Sequence, residues 1–179
     1  MKNIIFSTDS QKMRKIANKC NINTPWLRPK KISKDNSTSF DASLHAIDWY
    51  EKNYSKVDSI LLLQPTSPFR SFLDYKKALK KFKKNPNLPL ISIKKISLTS
   101  DKFLEKDDKY IKSIDKTLSK NIYIPNGSFF LIKKDILIKN RSFISKKMNY
   151  ILIKDNLKNI DIDEPNDYKL AKLLSSNKL

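Results

Sequence analysis

The chain has 179 residues, of which 39% are hydrophobic and nine are phenylalanine, so its composition suits one domain with an apolar core and excludes a disordered chain. The sequence contains no apolar run long enough for a transmembrane helix, and its quickly polar first nine residues do not resemble a signal peptide. A single cysteine, Cys20, excludes a disulfide framework and a cysteine-based metal site. We therefore expect a soluble cytoplasmic protein with no membrane partner.

The net charge of +19 raises the question of an anionic partner such as nucleic acid. All but four of the 37 basic residues are lysines, however, whereas proteins that read bases rely on the bidentate contacts of arginine. We therefore expect a solvated basic surface rather than a nucleic-acid site. The same charge would attract an anionic small substrate.

Apolar periodicity predicts strands and helices that alternate along most of the chain. The predicted helices at 10–20 and 39–53 are amphipathic, the first with Met13, Ile16, Ala17 and Cys20 on one face, the second with Thr38 or Ser39 as its N-cap. The elements expected in chain order are a strand at 3–7, helices at 10–20 and 39–53, a strand at 58–63, a helix at 71–84, strands at 88–93, 128–132 and 150–153, and a helix at 165–174.

This alternation predicts an α/β fold, because successive parallel strands need helical crossovers that cover both faces of the sheet. We expect a single domain over 1–179 with a mostly parallel sheet. Residues 95–122 are polar and irregular, with weak alternation near 110–114, and are predicted to form an excursion or a small dimerisation lobe. The only glycine is Gly127, so the chain encodes no glycine-rich phosphate loop.

The segment 61–70, LLLQPTSPFR, follows a predicted strand at the sheet edge where α/β proteins place their sites. Two prolines stiffen it, Gln64, Thr66 and Ser67 present polar groups, and Arg70 adds a positive charge. An ordinary strand-to-helix loop with serine or threonine capping explains these residues equally well.

Five segments resemble the acylneuraminate cytidylyltransferase family, in the order in which that family has them. LLLQPTSPFR at 61–70 is similar to its LLQPTSPLR signature, and this segment and NIDIDEPNDY are the specific ones. The other matching segments are FSTDSQKMRKIA at 6–17, LRPKKISKDNSTSFDASLHAIDW at 27–49, YIPNGSFFLI at 123–132 and NIDIDEPNDY at 159–168.

The resemblance implies a Rossmann-like fold of the nucleotide-diphospho-sugar transferase type, with a mostly parallel sheet flanked by helices. It also implies transfer of CMP from CTP to a nonulosonic, sialic-type sugar acid, with release of pyrophosphate and help from Mg²⁺. Surface glycan synthesis (lipopolysaccharide or capsule) and a homodimer are further implications. The alternatives are a catalytically inactive remnant that keeps the fold and a Kdo-type relative.

The resemblance assigns Arg28, Ser37 and Ser39 to the cytidine part of the nucleotide. Short serine side chains suit a base edge, although Ser39 would also serve as a helix N-cap. Gln64 and Asn126 fall on sugar-recognition positions, where their donors and acceptors suit hydroxyl and N-acyl groups. The alternative for Asn126 and Gly127 is a simple turn.

The resemblance gives Phe130 an aromatic position of the sugar pocket, although a strand phenylalanine is more often part of the core. Asp161 and Asp163 match the family's metal-binding pair, and residues two apart on an extended segment point the same way, so both carboxylates would reach one Mg²⁺. The alternative is that Asp163 or Glu164 caps the helix at 165. His45 is predicted to be structural, and no catalytic base is assigned.

The resemblance is incomplete in two places. The family's N-terminal nucleotide-binding segment, with its Gly, Arg and Lys loop, has no counterpart here, so we expect it to be encoded separately or omitted, or the chain to be a remnant. The family's Arg-Gln element is also replaced, with 119–121 nearby and Ile124 before Pro125. Lys120 would substitute only in part, because lysine does not reproduce a bidentate arginine.

Overall fold

A computed structural model describes residues 4–96, 103–107, 110–114 and 122–176. The chain alternates helices and strands, as the periodicity predicts. Its elements are α1 (Gln11–Lys19), α2 (Ser39–Asn53), β1 (Ser59–Leu62), α3 (Phe72–Lys84), β2 (Leu90–Ile96), β3 (Phe103–Asp107), β4 (Tyr110–Ile114), β5 (Ile122–Lys133), α4 (Lys134–Asn140), β6 (Asn149–Leu152) and α5 (Pro165–Ser176), with short 3₁₀ helices at Lys30–Ile32 and Leu157–Asn159.

Side-chain caps fix where the predicted helices begin. The hydroxyl of Thr38 accepts a hydrogen bond from the backbone N–H of Asp41, and the Asp41 carboxylate accepts one from the backbone N–H of Thr38. This reciprocal arrangement is a capping box, which pairs two of the amide groups that a helix start leaves free. Ser10 and Ser71 cap α1 and α3 in a simpler way. Thr38, and not Ser39, is therefore the N-cap of α2.

The predicted strand at Asn3–Ser7 is wrong in its described part. Ile5 forms one isolated parallel bridge with Asn23, supported by a backbone hydrogen bond of 2.9 Å from Phe6 N to Asn23 O. A strand needs a neighbour that pairs over several residues, and here the pairing ends after one bridge. An apolar run predicts a buried segment, but it does not show which other segment of the chain will pair with it.

The predicted inner face of α1 is also only partly buried. Ala17 is buried, whereas Met13 and Ile16 are 47% and 48% exposed and Cys20 is exposed. These residues are spaced as on one helical face, as predicted. Only Ala17, which has the smallest side chain of the four, is buried in a core.

Four strands form a sheet in the order β1-β5-β2-β6. Strands β2 and β6 run parallel, with Leu90 opposite Asn149 and Ile93 opposite Leu152. Strand β5 runs against β1, because backbone hydrogen bonds join Lys134 N to Asp58 O at one end and Gln64 N to Gly127 O at the other. The sheet is therefore mixed, with β5 antiparallel to β1, and the predicted α/β fold class is confirmed.

The chain divides into two compact units, Met1–Leu62 with Leu131–Lys147 and Leu63–Phe130 with Met148–Leu179. The single domain over 1–179 stays a prediction. The core of the first unit contains Ala17, Phe40, Ile47, Leu131, Ile132, Leu137 and Phe143. The core of the second unit contains Ala78, Phe82, Leu90, Ile91, Ile93, Phe129, Phe130, Ile153 and Ala171.

Within the segment predicted to be an excursion, β3 and β4 form an antiparallel pair. Phe103 is opposite Ile114 and Asp107 is opposite Tyr110. The alternation near 110–114 is thus a strand, and dimerisation through 95–122 stays a prediction. Two elements were not predicted from the sequence, namely β3 and α4, and the seven residues of α4 follow β5 without a break. Among the described residues, no helix is both long and apolar enough to cross a membrane.

Glu51 links three parts of the first unit. Its carboxylate accepts hydrogen bonds from the Lys134 ammonium at 2.6 Å and from the backbone N–H of Val57 at 2.8 Å. These contacts, with Lys134 foremost, lower the pKa of Glu51 below its ordinary value of 4.5. A depressed carboxylate pKa stabilises the fold above the unfolded-state pKa and ceases to do so as pH falls through the folded-state pKa.

We therefore expect Glu51→Gln to lower the free energy of unfolding at pH 7 and to reduce its decline between pH 5 and pH 3. Urea denaturation followed by circular dichroism at several pH values measures both effects. The matched control is Asp48→Asn, which breaks the Lys52 ion pair of 2.8 Å on a side of α2 where both side chains are mostly exposed. A Glu51→Gln profile identical to that of the control would contradict the assignment.

Candidate functional site

The turn after β1 carries the LLLQPTSPFR segment, and Ser67 is its most buried residue, with 1% of its surface exposed. The backbone N–H of Ser67 donates to Gln64 O at 3.2 Å, which closes the turn. Its hydroxyl oxygen lies 2.9 Å from Asn126 O and 3.2 Å from Asp161 Oδ1. Asn126 and Asp161 lie 59 and 94 positions after Ser67 in the chain, and both contact the Ser67 side chain.

Arg70 holds the far end of this turn. Its Nε donates to Ser128 O at 2.8 Å and its Nη2 donates to Gln64 O. Burial lowers the pKa of Arg70 from its ordinary value, because the charged form loses solvation. The guanidinium thus bridges the carbonyl group at the start of the turn and the carbonyl group of a strand residue, so the positive charge noted in the sequence supports the turn.

Gly127 lies within β5, so the prediction of a simple turn at Asn126-Gly127 is wrong. Its φ is +76°, a conformation that residues with a side chain rarely adopt. A Cβ atom at this position would lie 2.2 Å from Ser67 Oγ and 2.8 Å from Gln64 Oε1. The missing side chain therefore leaves the space that the Ser67 hydroxyl and the Gln64 amide occupy.

Asn126 is completely buried, and its amide is used within the fold. Its Nδ2 donates to Asn159 Oδ1 at 2.9 Å, and its Oδ1 accepts from Ser128 N at 3.2 Å. Asn159 in turn donates from Nδ2 to Ile153 O at 2.9 Å. Asn159 is not among the site residues predicted from the sequence, although it begins the NIDIDEPNDY segment.

Asp161 and Asp163 lie in the loop before α5. The backbone N–H of Ile162 between them donates to Thr66 O at 2.8 Å, which holds this loop against the LLLQPTSPFR turn. Asp161 is half-buried and Asp163 is exposed. The backbone N–H groups of Asp163 and Glu164 both donate to the Asp167 carboxylate, so Asp167 pairs the amide groups at this helix start.

Asp161 and Asp163 supply carboxylate oxygens, which are the kind of ligand that Mg²⁺ takes from proteins. Among the described residues, no group of three or more His, Cys, Asp or Glu side chains is placed to hold one metal ion. Mg²⁺ commonly binds one or two carboxylates and keeps water or substrate phosphate as its other ligands. The donor set of Asp161 and Asp163 matches this pattern.

Gln64 and Phe130 differ in how they present their side chains. Gln64 is partly exposed, and among the described residues no hydrogen bond of its side-chain amide is seen. Phe130 is 7% exposed and forms part of the core of the second unit. The arrangement therefore supports the core alternative for Phe130, and its role in a sugar pocket stays a prediction.

The predicted nucleotide-binding residues lie in the first unit. Arg28 donates from Nε to Ser33 Oγ at 3.0 Å and forms an ion pair of 3.5 Å with Asp9. Ser37 Oγ accepts from Lys34 N at 2.9 Å. Ser39 is the exposed first residue of α2, and because Thr38 performs the capping, the Ser39 hydroxyl is not needed for it.

His45 lies within α2 and contacts Trp26, with the two rings edge to face and 5.0 Å between their centroids. Burial lowers the pKa of His45, so the neutral ring is favoured. Its Nδ1 and the Nε1 of Trp26 are both buried and, within the described part of the chain, neither has a hydrogen-bond partner. This packing supports the structural prediction for His45.

No protein-family model matches the chain. The chain is similar to CMP-N,N'-diacetyllegionaminic acid synthase of Legionella pneumophila, with 28% identity over 96% of this chain and 77% of the relative. It is also 28% identical to an N-acylneuraminate cytidylyltransferase of Escherichia coli over 98% of this chain, which corresponds to 42% of that protein. Pseudaminic acid cytidylyltransferase of Campylobacter jejuni is 24% identical over 96% of this chain and 77% of the relative.

Two solved structures of 4-diphosphocytidyl-2C-methyl-D-erythritol synthases share the fold. One has a TM-score of 0.63 at 12% identity and covers 95% of this chain and 78% of its own. The other, from Anaerococcus prevotii, has a TM-score of 0.63 at 15% identity and covers 98% and 82%. The predicted resemblance and the predicted fold class are both confirmed.

Gly127→Ala tests whether the empty position in β5 is required. We expect the free energy of unfolding to fall by about 1–3 kcal/mol, because the added Cβ meets Ser67 Oγ at 2.2 Å and the backbone conformation disfavours a side chain. Urea denaturation measures the loss.

The double variant Gly127→Ala, Ser67→Gly removes the colliding hydroxyl but keeps the strained backbone. We therefore expect the Gly127→Ala substitution to cost less in the Ser67→Gly background than in the wild type. An equal cost in both backgrounds would show that the collision with Ser67 contributes nothing.

Proposed function

We propose that this chain transfers CMP from CTP to a nonulosonic sugar acid and releases pyrophosphate. The observation that carries the proposal is the meeting of Gln64, Asn126 and Asp161 around Ser67. These three residues come from three separate segments of the resemblance, which assigns each of them to a substrate or a metal. The named activities of the cytidylyltransferase relatives support the same reaction.

We assign the sugar acid to the second unit, with Gln64 as the principal contact. Its amide offers a donor and an acceptor, which suits the hydroxyl and N-acyl groups of such a sugar. Asn126 supports the sugar site from within the fold, because the residue is completely buried and its Oδ1 and Nδ2 already bond there. We assign the cytidine part of CTP to Arg28, Ser37 and Ser39 of the first unit.

We assign Mg²⁺ to Asp161 and Asp163. When bound, the ion neutralises phosphate charge and polarises the phosphoryl group that is transferred. The task of the chain's own residues is to hold the reactants in line, because phosphoryl and nucleotidyl transfer depend mainly on positioning and charge stabilisation. The homodimer, the cytoplasmic location, the role in surface glycan synthesis and a separately encoded N-terminal fragment stay predictions.

The test is pyrophosphate release by the purified chain 1–179 from CTP and Mg²⁺ with a panel of sugar acids. The panel contains N-acetylneuraminic, legionaminic and pseudaminic acids and Kdo. We expect turnover with at least one of the first three and the product CMP-sugar in equal amount. Release with Kdo alone would favour the Kdo-type alternative, and no release with any sugar would contradict the proposal.

Asp161→Asn tests the metal assignment within the same assay. We expect turnover to fall by roughly a hundredfold, because the loss of a carboxylate ligand would weaken the binding of the cation that offsets the developing negative charge. The matched control is Asp155→Asn, an exposed carboxylate whose Oδ1 accepts from Leu157 N at 3.0 Å. Equal activities of the two variants would exclude Asp161 as a metal ligand.

A further inference from the structure

The Ser67 hydroxyl has two acceptors and one proton to donate. Asn126 O lies at 2.9 Å and Asp161 Oδ1 at 3.2 Å, and the residue is 1% exposed. A hydroxyl donates one hydrogen bond, so the two acceptors share this proton or compete for it. Because the Asp161 carboxylate has two oxygens, the contact of Ser67 with Oδ1 leaves Oδ2 to bind another group.

Two neighbouring features allow the contact between Ser67 and Asp161. The chain has one glycine among 179 residues, and Gly127 stands where a side chain would reach within 2.2 Å of Ser67 Oγ. The backbone hydrogen bond from Ile162 N to Thr66 O keeps the Asp161 loop next to the turn. The position of the carboxylate therefore depends on one side-chain contact and one backbone contact.

We propose that Ser67 is a positioning residue that orients the Asp161 carboxylate for a divalent cation. This inference rests on the proposed function, because it presupposes that Asp161 is a cation ligand. The hydroxyl shares its one proton between Asn126 O and Asp161 Oδ1, and the second contact orients the carboxylate. A cation would then bind through the other carboxylate oxygen, Oδ2, while the hydroxyl stays on Oδ1 and holds the orientation of the carboxylate.

If the role of Ser67 were purely structural, its hydroxyl would only connect the turn to β5 through the hydrogen bond to Asn126 O. Ser92 provides the matched control for that role within the same unit. It is completely buried, and its hydroxyl donates to Phe129 O at 3.2 Å and accepts from Phe129 N at 3.0 Å. Ser92→Ala therefore removes a buried hydroxyl that bonds to the same strand but does not contact Asp161.

The experiment measures Mn²⁺ binding to the purified full chain by electron paramagnetic resonance, with no nucleotide or sugar present. The variants are Ser67→Ala, Ser92→Ala and Asp161→Asn, and the unfolding temperature of each is measured alongside. We expect Ser67→Ala to weaken the Asp161-dependent Mn²⁺ binding by about tenfold, as does the loss of a group that orients a metal ligand. Ser92→Ala should leave Mn²⁺ binding unchanged although it also destabilises the fold.

Turnover at varied Mg²⁺ gives a second readout. For Ser67→Ala we expect the Mg²⁺ concentration at half-maximal rate to rise by about the same factor, with most of the rate restored at saturating Mg²⁺. If Ser67→Ala does not fold, Ser67→Cys, which keeps a weaker donor of similar size, replaces it and should give a smaller shift.

The outcomes separate this inference from the proposed function. Equal Mn²⁺ binding by Ser67→Ala and Ser92→Ala, in a wild-type chain that turns over CTP, would overturn the inference and leave the function standing. A wild-type chain whose Mn²⁺ binding does not change with Asp161→Asn would overturn the inference whatever its turnover. A chain that binds Mn²⁺ as expected but releases no pyrophosphate would retain the inference about Ser67 and contradict the proposed reaction.

Discussion

The arrangement of the second unit depends on the missing side chain at Gly127. Because no Cβ is present, the Ser67 hydroxyl and the Gln64 amide lie directly against β5. Ser67 then bonds to the strand at Asn126 and contacts Asp161, and Arg70 bridges the two carbonyl groups on either side of the contact. A side chain in this place would separate the turn from the strand. The candidate site is thus a consequence of close backbone approach, which glycine alone permits without strain.

The charges of the protein fall into two groups with different roles. Most of the net charge of +19 comes from lysines, and a field of this sign raises the encounter rate with anions such as CTP. Arg70, in contrast, is half-buried and donates to backbone carbonyls, so it fixes geometry. Arg28 is partly exposed and pairs with Asp9 at 3.5 Å, a contact that solvent keeps weak. Long-range attraction and local positioning are therefore carried by different residues.

The site residues differ in how deeply they are buried. Gln64 is partly exposed, and its amide offers a donor and an acceptor. Asn126 and Phe130 are buried, and the Asn126 amide bonds to Asn159 and Ser128, so these two residues shape the site from within the fold. Ser67 belongs with them, since its hydroxyl is enclosed between the strand and Asp161. Side chains whose polar groups bond within the fold are thus distinguished from the others by their hydrogen-bond partners and not by residue type.

The sequence by itself determined the features that arise from neighbours along the chain. The helices at 11–19, 39–53 and 72–84 follow from apolar spacing and from capping residues such as Thr38, because helix hydrogen bonds join residues four apart. The order of the five similar segments likewise predicted the fold. Only the tertiary structure decided that 3–7 lacks a strand partner over its described residues, that Gly127 has a positive φ inside β5, and that Ser67 meets Asp161. These features depend on contacts between residues far apart in the chain, and periodicity within one segment carries no information about which distant segment will be its neighbour.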